Sequence, residues 1–227
     1  MNDMQDISCD DAAKQKRRAQ RKLRMAHAGG LMQGIVSMLR PGDVVLDCGA
    51  NVGDVCGPFA QTGAQVHAFE PDPYAFGIMS EKLGDAPNVT LYNAAVGVEV
   101  GTVRLMRAAN FDDNPRGGSV KSTIVKGGRN ISQEVGAGVE VTLVSLLDVI
   151  DDMVRNHGRI AVLKMDIEGA ELDILERMLA DDLFRHIGLT VAETHERKFR
   201  DLRPRFRALR KAIAAKYPVT QVNLDWI

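Results

Sequence analysis

A chain of 227 residues with 45% apolar residues is long enough to bury a full hydrophobic core as one domain. Its net charge of −1 excludes a global field that attracts nucleic acid or membranes, and no apolar run resembles a membrane span or a signal peptide. The three cysteines form no Cys-x-x-Cys pair, so we expect no disulfide scaffold or zinc site and a reducing, cytoplasmic location.

The first 24 residues form a basic arm, rich in lysine and arginine. Such an arm could bind an anionic partner such as RNA, or it could be a solvated helix that packs on a second subunit in a homodimer. We favour the solvated helix because the whole chain is nearly neutral. Residues 25–39 repeat apolar side chains at helical spacing, which predicts an amphipathic helix at the start of a single domain over residues 25–227.

The stretch Val44–Gly53 is an apolar run that ends in Asp47 and continues into a glycine-containing turn. This pattern is typical of a buried parallel strand whose carboxyl end meets a ligand, because glycine permits close backbone approach. A nicotinamide fingerprint, G-x-G-x-x-G, would require glycine at three positions that are occupied here by Gly49, Asn51 and Asp54. The fingerprint therefore fails at two of the three.

Polar residues also follow the next two predicted strands, Ala64–Phe69 and Asn88–Tyr92. Glu70 after the first of them could accept hydrogen bonds from both ribose hydroxyls of an adenosine cofactor. Asn93 after the second could bind the adenine edge, or it could be an ordinary turn asparagine. Asp72 is predicted to cap the helix between these strands.

A glycine-rich stretch occupies residues 107–138, after a predicted hairpin strand at Thr102–Met106. Long loops in compact domains are commonly functional. We predict a mobile lid over an acceptor site, which carries Ser119, Ser122 and Thr123.

Two further buried strands are predicted at Ile160–Met165 and Ile187–Ala192, and a final strand at 219–227. Lys164 lies within the first of these, and because a buried lysine is rarely unpaired, we expect an acid beside it.

A basic helix is predicted over residues 201–216, with Asp201 as its cap. Its arginines and lysines form a solvated face in the simplest interpretation. The alternative is a dock for a substrate that carries phosphate or carboxylate.

Strands and helices alternate along the chain, which predicts a doubly wound, mostly parallel α/β sheet of the Rossmann-like type in three αβα layers. Ligands of such sheets bind at the carboxyl ends of the strands. Polar side chains follow five predicted strands there: Asp47, Glu70, Asn93, Asp166, and Glu193 with His195.

Five motifs together resemble the FkbM family of S-adenosylmethionine (SAM)-dependent methyltransferases. They are Asp47-Cys48-Gly49-Ala50-Asn51-Val52-Gly53, Ala68-Phe69-Glu70-Pro71, Asn93-Ala94-Ala95-Val96-Gly97, Leu163-Lys164-Met165-Asp166-Ile167-Glu168-Gly169-Ala170-Glu171 and Glu193-Thr194-His195. The fourth motif is the most specific, and the resemblance spans about residues 41–196. It implies a Rossmann-like methyltransferase that moves a methyl group from SAM, typically to a hydroxyl oxygen of a small molecule, sugar or other natural product.

The resemblance also implies site residues. The expected cofactor contacts are Asp47, Gly49, Ala50, Asn51, Gly53, Asp54, Glu70, Pro71, Asn93, Ala94 and Asp166. Because SAM carries an activated methyl group, the protein must align the acceptor oxygen and remove its proton. His195 is the first candidate base, since its ordinary pKa lies nearest neutrality, and Asp166 is the second. Glu168 and Lys164 complete the candidate catalytic set, although His195 could instead be structural.

A metal could also assist, because Asp166, Glu168, Glu193 and His195 offer ligand types that Mg²⁺ accepts. Sequence does not establish their geometry, so we favour a site without a metal and keep Mg²⁺ as the less favoured alternative.

Three other functions compete with this prediction. A nucleic-acid methyltransferase is suggested by the two basic stretches, but enzymes that methylate nucleobase amines usually carry an Asn/Asp-Pro-Pro-aromatic block where this chain has Asp166-Ile167-Glu168-Gly169. A short-chain dehydrogenase would require Tyr-x-x-x-Lys, which the sequence lacks. The third alternative is a protein that binds SAM without catalysis.

Overall fold

The structure is a computed structural model that describes residues 3–127, 131 and 138–226. Its strands are β1 (Val44–Cys48), β2 (Gln65–Phe69), β3 (Val89–Tyr92), β4 (Ala94–Gly97), β5 (Gly101–Leu105), β6 (Val139–Ser145), β7 (Ile160–Met165), β8 (Ile187–Ala192) and β9 (Val222–Asn223). Its α-helices are α1 (Asp3–Met38), α2 (Cys56–Ala60), α3 (Pro73–Leu83), α4 (Pro115–Ser119), α5 (Leu146–His157), α6 (Glu171–Ala180) and α7 (Arg203–Lys216).

The larger sheet runs β3-β2-β1-β7-β8-β9, and its paired strands are parallel. The chain order reverses between β1 and β7, and ligands of open α/β sheets bind at the carboxyl edge beside such a reversal. The predicted doubly wound, Rossmann-like fold with flanking helices is confirmed. The predicted bounds of β7 and β8 coincide with the observed ones.

The core explains why these central strands are apolar along almost their whole length. Leu46 and Leu163 belong to the main apolar cluster, which also contains side chains of α5, α6 and α7. Because neighbouring side chains alternate between the faces of a strand, Asp47 and Lys164 point to the other face. The register places these two residues opposite each other. A charged pair is thereby buried inside the sheet near its carboxyl edge.

A second sheet of three strands, β4-β6-β5, corrects the predicted hairpin. β5 forms close to the predicted position, but it pairs antiparallel with β6, which follows only after the glycine-rich stretch. The reason is a small separate core, in which Leu105 and Val141 pack with Ala95 of β4.

The carboxyl-terminal region differs from prediction in two places. The final strand is only β9, because the side chain of Asn223 accepts a hydrogen bond from the Asp225 amide at 2.8 Å and turns the chain out of the ladder. Asp201 does not cap α7. A 3₁₀ turn at Arg200–Leu202 precedes the helix, and Pro204 lies in its first turn.

Helix α1 extends without interruption from residue 3 of the basic arm to residue 38 of the predicted helix at 25–39. It forms a compact unit with residue 226, and residues 39–225 form the other unit. The predicted separation of an arm at 1–24 from a domain at 25–227 stays a prediction. Among the described residues, we find no helix with the length and apolarity needed to cross a bilayer.

Candidate active site

The loop after β1 lies against the backbone of two neighbouring strands. Gly49 has φ +78°, and a Cβ there would lie only 1.8 Å from the carbonyl oxygen of Asp166. The amides of Gly49 and Ala50 donate to the Phe69 carbonyl at 2.9 and 3.0 Å. Only glycine fits this position, so the loop can be held tightly at the carboxyl edge of the sheet.

Beneath this loop, Lys164 and Asp47 form the ion pair that was expected from the buried lysine. The ammonium lies 3.0 Å from Asp47 Oδ1 and donates to the Gly49 carbonyl at 2.7 Å. Burial by itself would lower the pKa of Lys164, but the charges of Asp47 and Asp166 outweigh it and raise that pKa. Lys164 therefore stays charged, and its ammonium holds the loop backbone.

Glu70 holds the same loop from the side of β2. Its carboxylate is buried, and it accepts hydrogen bonds from the backbone amides of Asn51 at 2.9 Å and Asp72 at 2.8 Å. Burial raises the pKa of Glu70 to about 7, against the opposing effect of these amides. Since a carboxylate offers about four acceptor sites, lone pairs remain for ribose hydroxyls.

Two of the predicted cofactor residues have other partners. The amide of Asn93 donates to the carbonyls of Glu70 at 2.9 Å and Pro71 at 3.3 Å, so it stabilises the turn between β2 and α3. The carboxylate of Asp54 is largely exposed and pairs with Lys82 at 2.8 Å.

A pocket of about 600 Å³, including its open part, lies at the carboxyl edge. It brings together these predicted cofactor and catalytic residues: Gly49, Asn51, Glu70, Pro71, Ala94, Asp166 and Glu168. Its apolar wall, which was not predicted, includes Phe69, Val96, Leu105, Val120 and Ile124. Alternation in the strands could have indicated Phe69 and Val96, whereas Val120 and Ile124 come from the glycine-rich stretch, which has no periodicity.

Part of the predicted lid is ordered beside this pocket. Arg107 forms two hydrogen bonds to the buried Asp72 carboxylate, at 2.8 and 3.0 Å. Thr123 donates to the carbonyl of Glu168 at 2.7 Å, and Ser119 and Ser122 line the pocket. Residues 128–130 and 132–137 lie outside the described residues. Mobility of the segment stays a prediction.

His195 lies among four carboxylates from three elements. Its Nδ1 is 3.0 Å from Glu171, and its Nε2 is 3.5 Å from Glu168, 3.7 Å from Asp166 and 3.8 Å from Glu193. Burial alone would lower the pKa of His195, but its contacts with Glu168 and Glu171 outweigh burial and raise that pKa to about 11. The ring is therefore an imidazolium at neutral pH. Our premise of an ordinary histidine pKa is wrong, because it ignored these carboxylates.

Glu171 organises this cluster from below. Its fully buried carboxylate accepts hydrogen bonds from the amides of Ile167 and Gly169, each at 2.9 Å, in addition to its contact with His195. A Cβ at Gly169 would lie 2.1 Å from the ring of Phe199. The turn between β7 and α6 and the loop after β8 are thus closely packed together.

The pKa values of the remaining carboxylates of the cluster are shifted in different directions. Burial raises the pKa of Asp166, and burial together with the charge of Asp166 raises the pKa of Glu193 to about 7. Burial would also raise the pKa of Glu168, but His195 and Lys198 lower it. Ligand atoms of Asp166, Glu168 and His195 lie within 4.8 Å of one another, so these three could hold a metal if the ring lost its proton.

Comparison with known proteins supports the resemblance. The family model described as "Methyltransferase FkbM domain" matches residues 47–217. The chain is 30% identical over 178 residues to the 31-O-demethyl-FK506 methyltransferase FkbM of Streptomyces tacrolimicus, covering 70% of this chain and 67% of that protein. It is 27% identical over 146 residues to the 2-O-methyltransferase NoeI of Sinorhizobium fredii, covering 62% and 60%.

The chain is also similar to a solved SAM-dependent methyltransferase from Geobacter sulfurreducens in complex with S-adenosyl-L-homocysteine. The structural alignment covers 30% of this chain and 28% of that chain. Its TM-score is 0.26 at 23% identity, which is too low to support any argument about the site. The family model, in contrast, covers most of the chain and includes the end of β1 and all of β7 and β8. The chain therefore belongs to the methyltransferase FkbM domain family.

Proposed function

We propose that this protein transfers the methyl group of SAM to a hydroxyl oxygen of a small molecule, sugar or natural product. The observation that carries the proposal is one pocket in which the glycine loop, Glu70 and Asp166 meet at the carboxyl edge of a parallel sheet. The two relatives, whose names describe O-methylation, support a hydroxyl acceptor.

The residues around the pocket suit SAM chemically. Gly49 leaves a backbone cradle that any side chain would fill, and Glu70 has lone pairs for ribose hydroxyls. Asp166 adds negative charge, which favours a sulfonium. When bound, SAM supplies an activated methyl group, and the protein must orient the acceptor and exclude water.

We assign the proton acceptor to Asp166 and a different role to His195. Asp166 lines the pocket, and burial raises its pKa, so it binds a proton more readily than an ordinary aspartate. His195 is already protonated and can donate from Nε2, which lets it orient oxygen atoms of the acceptor or of Glu168.

Calorimetry with SAM, S-adenosylhomocysteine and NAD in parallel tests the cofactor. We expect SAM and S-adenosylhomocysteine to bind and NAD not to bind. Tight binding of NAD alone would contradict the proposal. Asp166→Ala should reduce turnover by about 10²–10⁴-fold, the usual value of a proton acceptor. Normal turnover in this variant would remove the assignment.

We also propose that methyl transfer needs no metal, because the imidazolium of His195 already compensates the carboxylates that would bind one. Activity should persist in excess chelator. Loss of activity that added Mg²⁺ restores would show that a metal takes part.

A further inference from the structure

A second pocket lies between the loop after β8 and the first half of α7. It is lined by Glu196, Arg197, Arg203, Arg207 and Arg210. Because Glu196 directly follows His195, their Cα atoms are about 3.8 Å apart. The loop after β8 therefore joins the two sites, because Glu193 and His195 belong to the acidic cluster and Glu196 lines the pocket.

Two of its arginines are held in place by the surrounding chain. Arg210 donates to Asp225 at 2.7 Å and to the Leu224 carbonyl at 3.0 Å, and its Nε lies 3.6 Å from Glu196. Arg203 donates through Nε to the Glu196 carbonyl at 3.1 Å. These contacts orient the guanidinium groups before any ligand binds.

Arg207 differs, because it is exposed and no carboxylate among the described residues pairs with it. Leaving out Arg197, the pocket lining carries three guanidinium groups, and the described carboxylates that pair with them are Glu196 and Asp225, both at Arg210. Positive charge therefore exceeds negative charge in this pocket. Because like charges repel one another, a bound anion would lower the electrostatic energy of the arginines.

On the opposite face of α7, an arginine forms ordinary surface ion pairs. Arg205 is paired with Asp173 at 2.6 Å and Glu176 at 2.5 Å, both on α6. The pocket-facing Arg203 and Arg207 have no such carboxylate partners among the described residues. The planar guanidinium group is suited to bidentate binding of phosphate and carboxylate.

We propose that this pocket binds an anionic group, phosphate or carboxylate, on the molecule whose hydroxyl is methylated. The inference rests on the proposed function, since it takes the neighbouring cluster as the place where the hydroxyl lies. It narrows the acceptor from any hydroxyl compound to one that carries an anionic group near the reacting oxygen.

The test is calorimetry on the full chain with inorganic pyrophosphate and, in parallel, malonate. Wild type should bind at least one of them saturably, and the one that binds identifies phosphate or carboxylate. The double variant R203A/R207A should bind the anion at least tenfold more weakly, because each substitution removes a charge-assisted hydrogen bond. R205A, the matched control on the same helix, should change the anion affinity less than twofold.

SAM is titrated into the same samples as a separate measurement. Equal SAM affinity in all variants shows that they are folded, and absence of SAM binding with intact anion binding would overturn the proposed function alone. No saturable binding of either anion to wild type, or an equal loss in R205A, would overturn the anion pocket. Tighter, steeply salt-dependent binding of a short RNA would overturn it in favour of a nucleic acid.

Discussion

Gly49 and Glu70 both fix the position of the loop after β1. A change of a few atoms at either residue should therefore displace this loop. Gly49 admits the carbonyl of Asp166 where a side chain would stand, and Glu70 binds the Asn51 amide. The part of the pocket that this loop forms is therefore backbone, and buried contacts hold that backbone in place. Two predictions follow from these residues.

Gly49→Ala should destabilise the fold by about 3 kcal/mol and abolish SAM binding, because its methyl group would collide with backbone at a positive φ. Gly57→Ala is the matched control, since no atom lies within 4 Å of the added carbon. Thermal unfolding and SAM calorimetry measure both. Equal behaviour of the two variants would contradict this account of the loop.

Glu70 should make folding stability depend on pH. Its folded pKa of about 7 exceeds the ordinary 4.5, so the folded chain binds this proton more tightly than the unfolded chain. The free energy of unfolding should therefore fall by about 3 kcal/mol from this group as pH rises from 4.5 to 7.

Urea unfolding of wild type and Glu70→Gln across that range measures the effect. The variant lacks the titrating carboxyl, so the difference between the two proteins should change steadily with pH. A constant difference would show that Glu70 does not titrate as described.

At the scale of elements, the Arg107–Asp72 pair is one of the contacts that tie the segment after β5 to the pocket edge. Removing one partner of a buried pair leaves a buried charge uncompensated, which typically costs about 3–5 kcal/mol.

We expect Arg107→Ala to release residues 108–124, with faster hydrogen exchange there and weaker SAM binding. Arg116→Ala is the control, because Arg116 is exposed in the same segment and has no ion-pair partner among the described residues. Unchanged exchange in Arg107→Ala would mean that other contacts hold the segment.

Sequence predicts elements well where the signal is local. The apolar runs of β1, β7 and β8 are buried because helices flank the sheet, and their patterns identify them directly. β5 is different. It meets β6 only after the glycine-rich stretch, so no local pattern reveals the partner.

The same limit applies to the site. That Lys164 pairs with an acid was predictable, because a lysine inside a buried strand needs one nearby. That the acid is Asp47 follows only from the register of β1 and β7. The charge state of His195 was not predictable, because it depends on carboxylates that meet only in the folded chain. The arginine pocket likewise combines residues from two elements, and composition alone cannot separate Arg207 from the paired Arg205.

At the scale of the whole molecule, residues 11–27 of α1 are exposed along every position. A chain that begins at residue 25 should therefore keep its unfolding temperature within about 2 °C and its SAM affinity within twofold, since residues 11–24 are all exposed.

Thermal unfolding, calorimetry and light scattering measure this truncation. A large fall in unfolding temperature together with a lower particle mass would instead assign the arm to subunit contacts.

The packing of Gly169 against Phe199 has a consequence for directed evolution of this chain. The ring of Phe199 occupies the space that a Cβ at 169 would take, and Gly169 has φ +115°, a conformation that strains any L side chain. A useful library would therefore keep glycine at 169 and diversify position 199 alone.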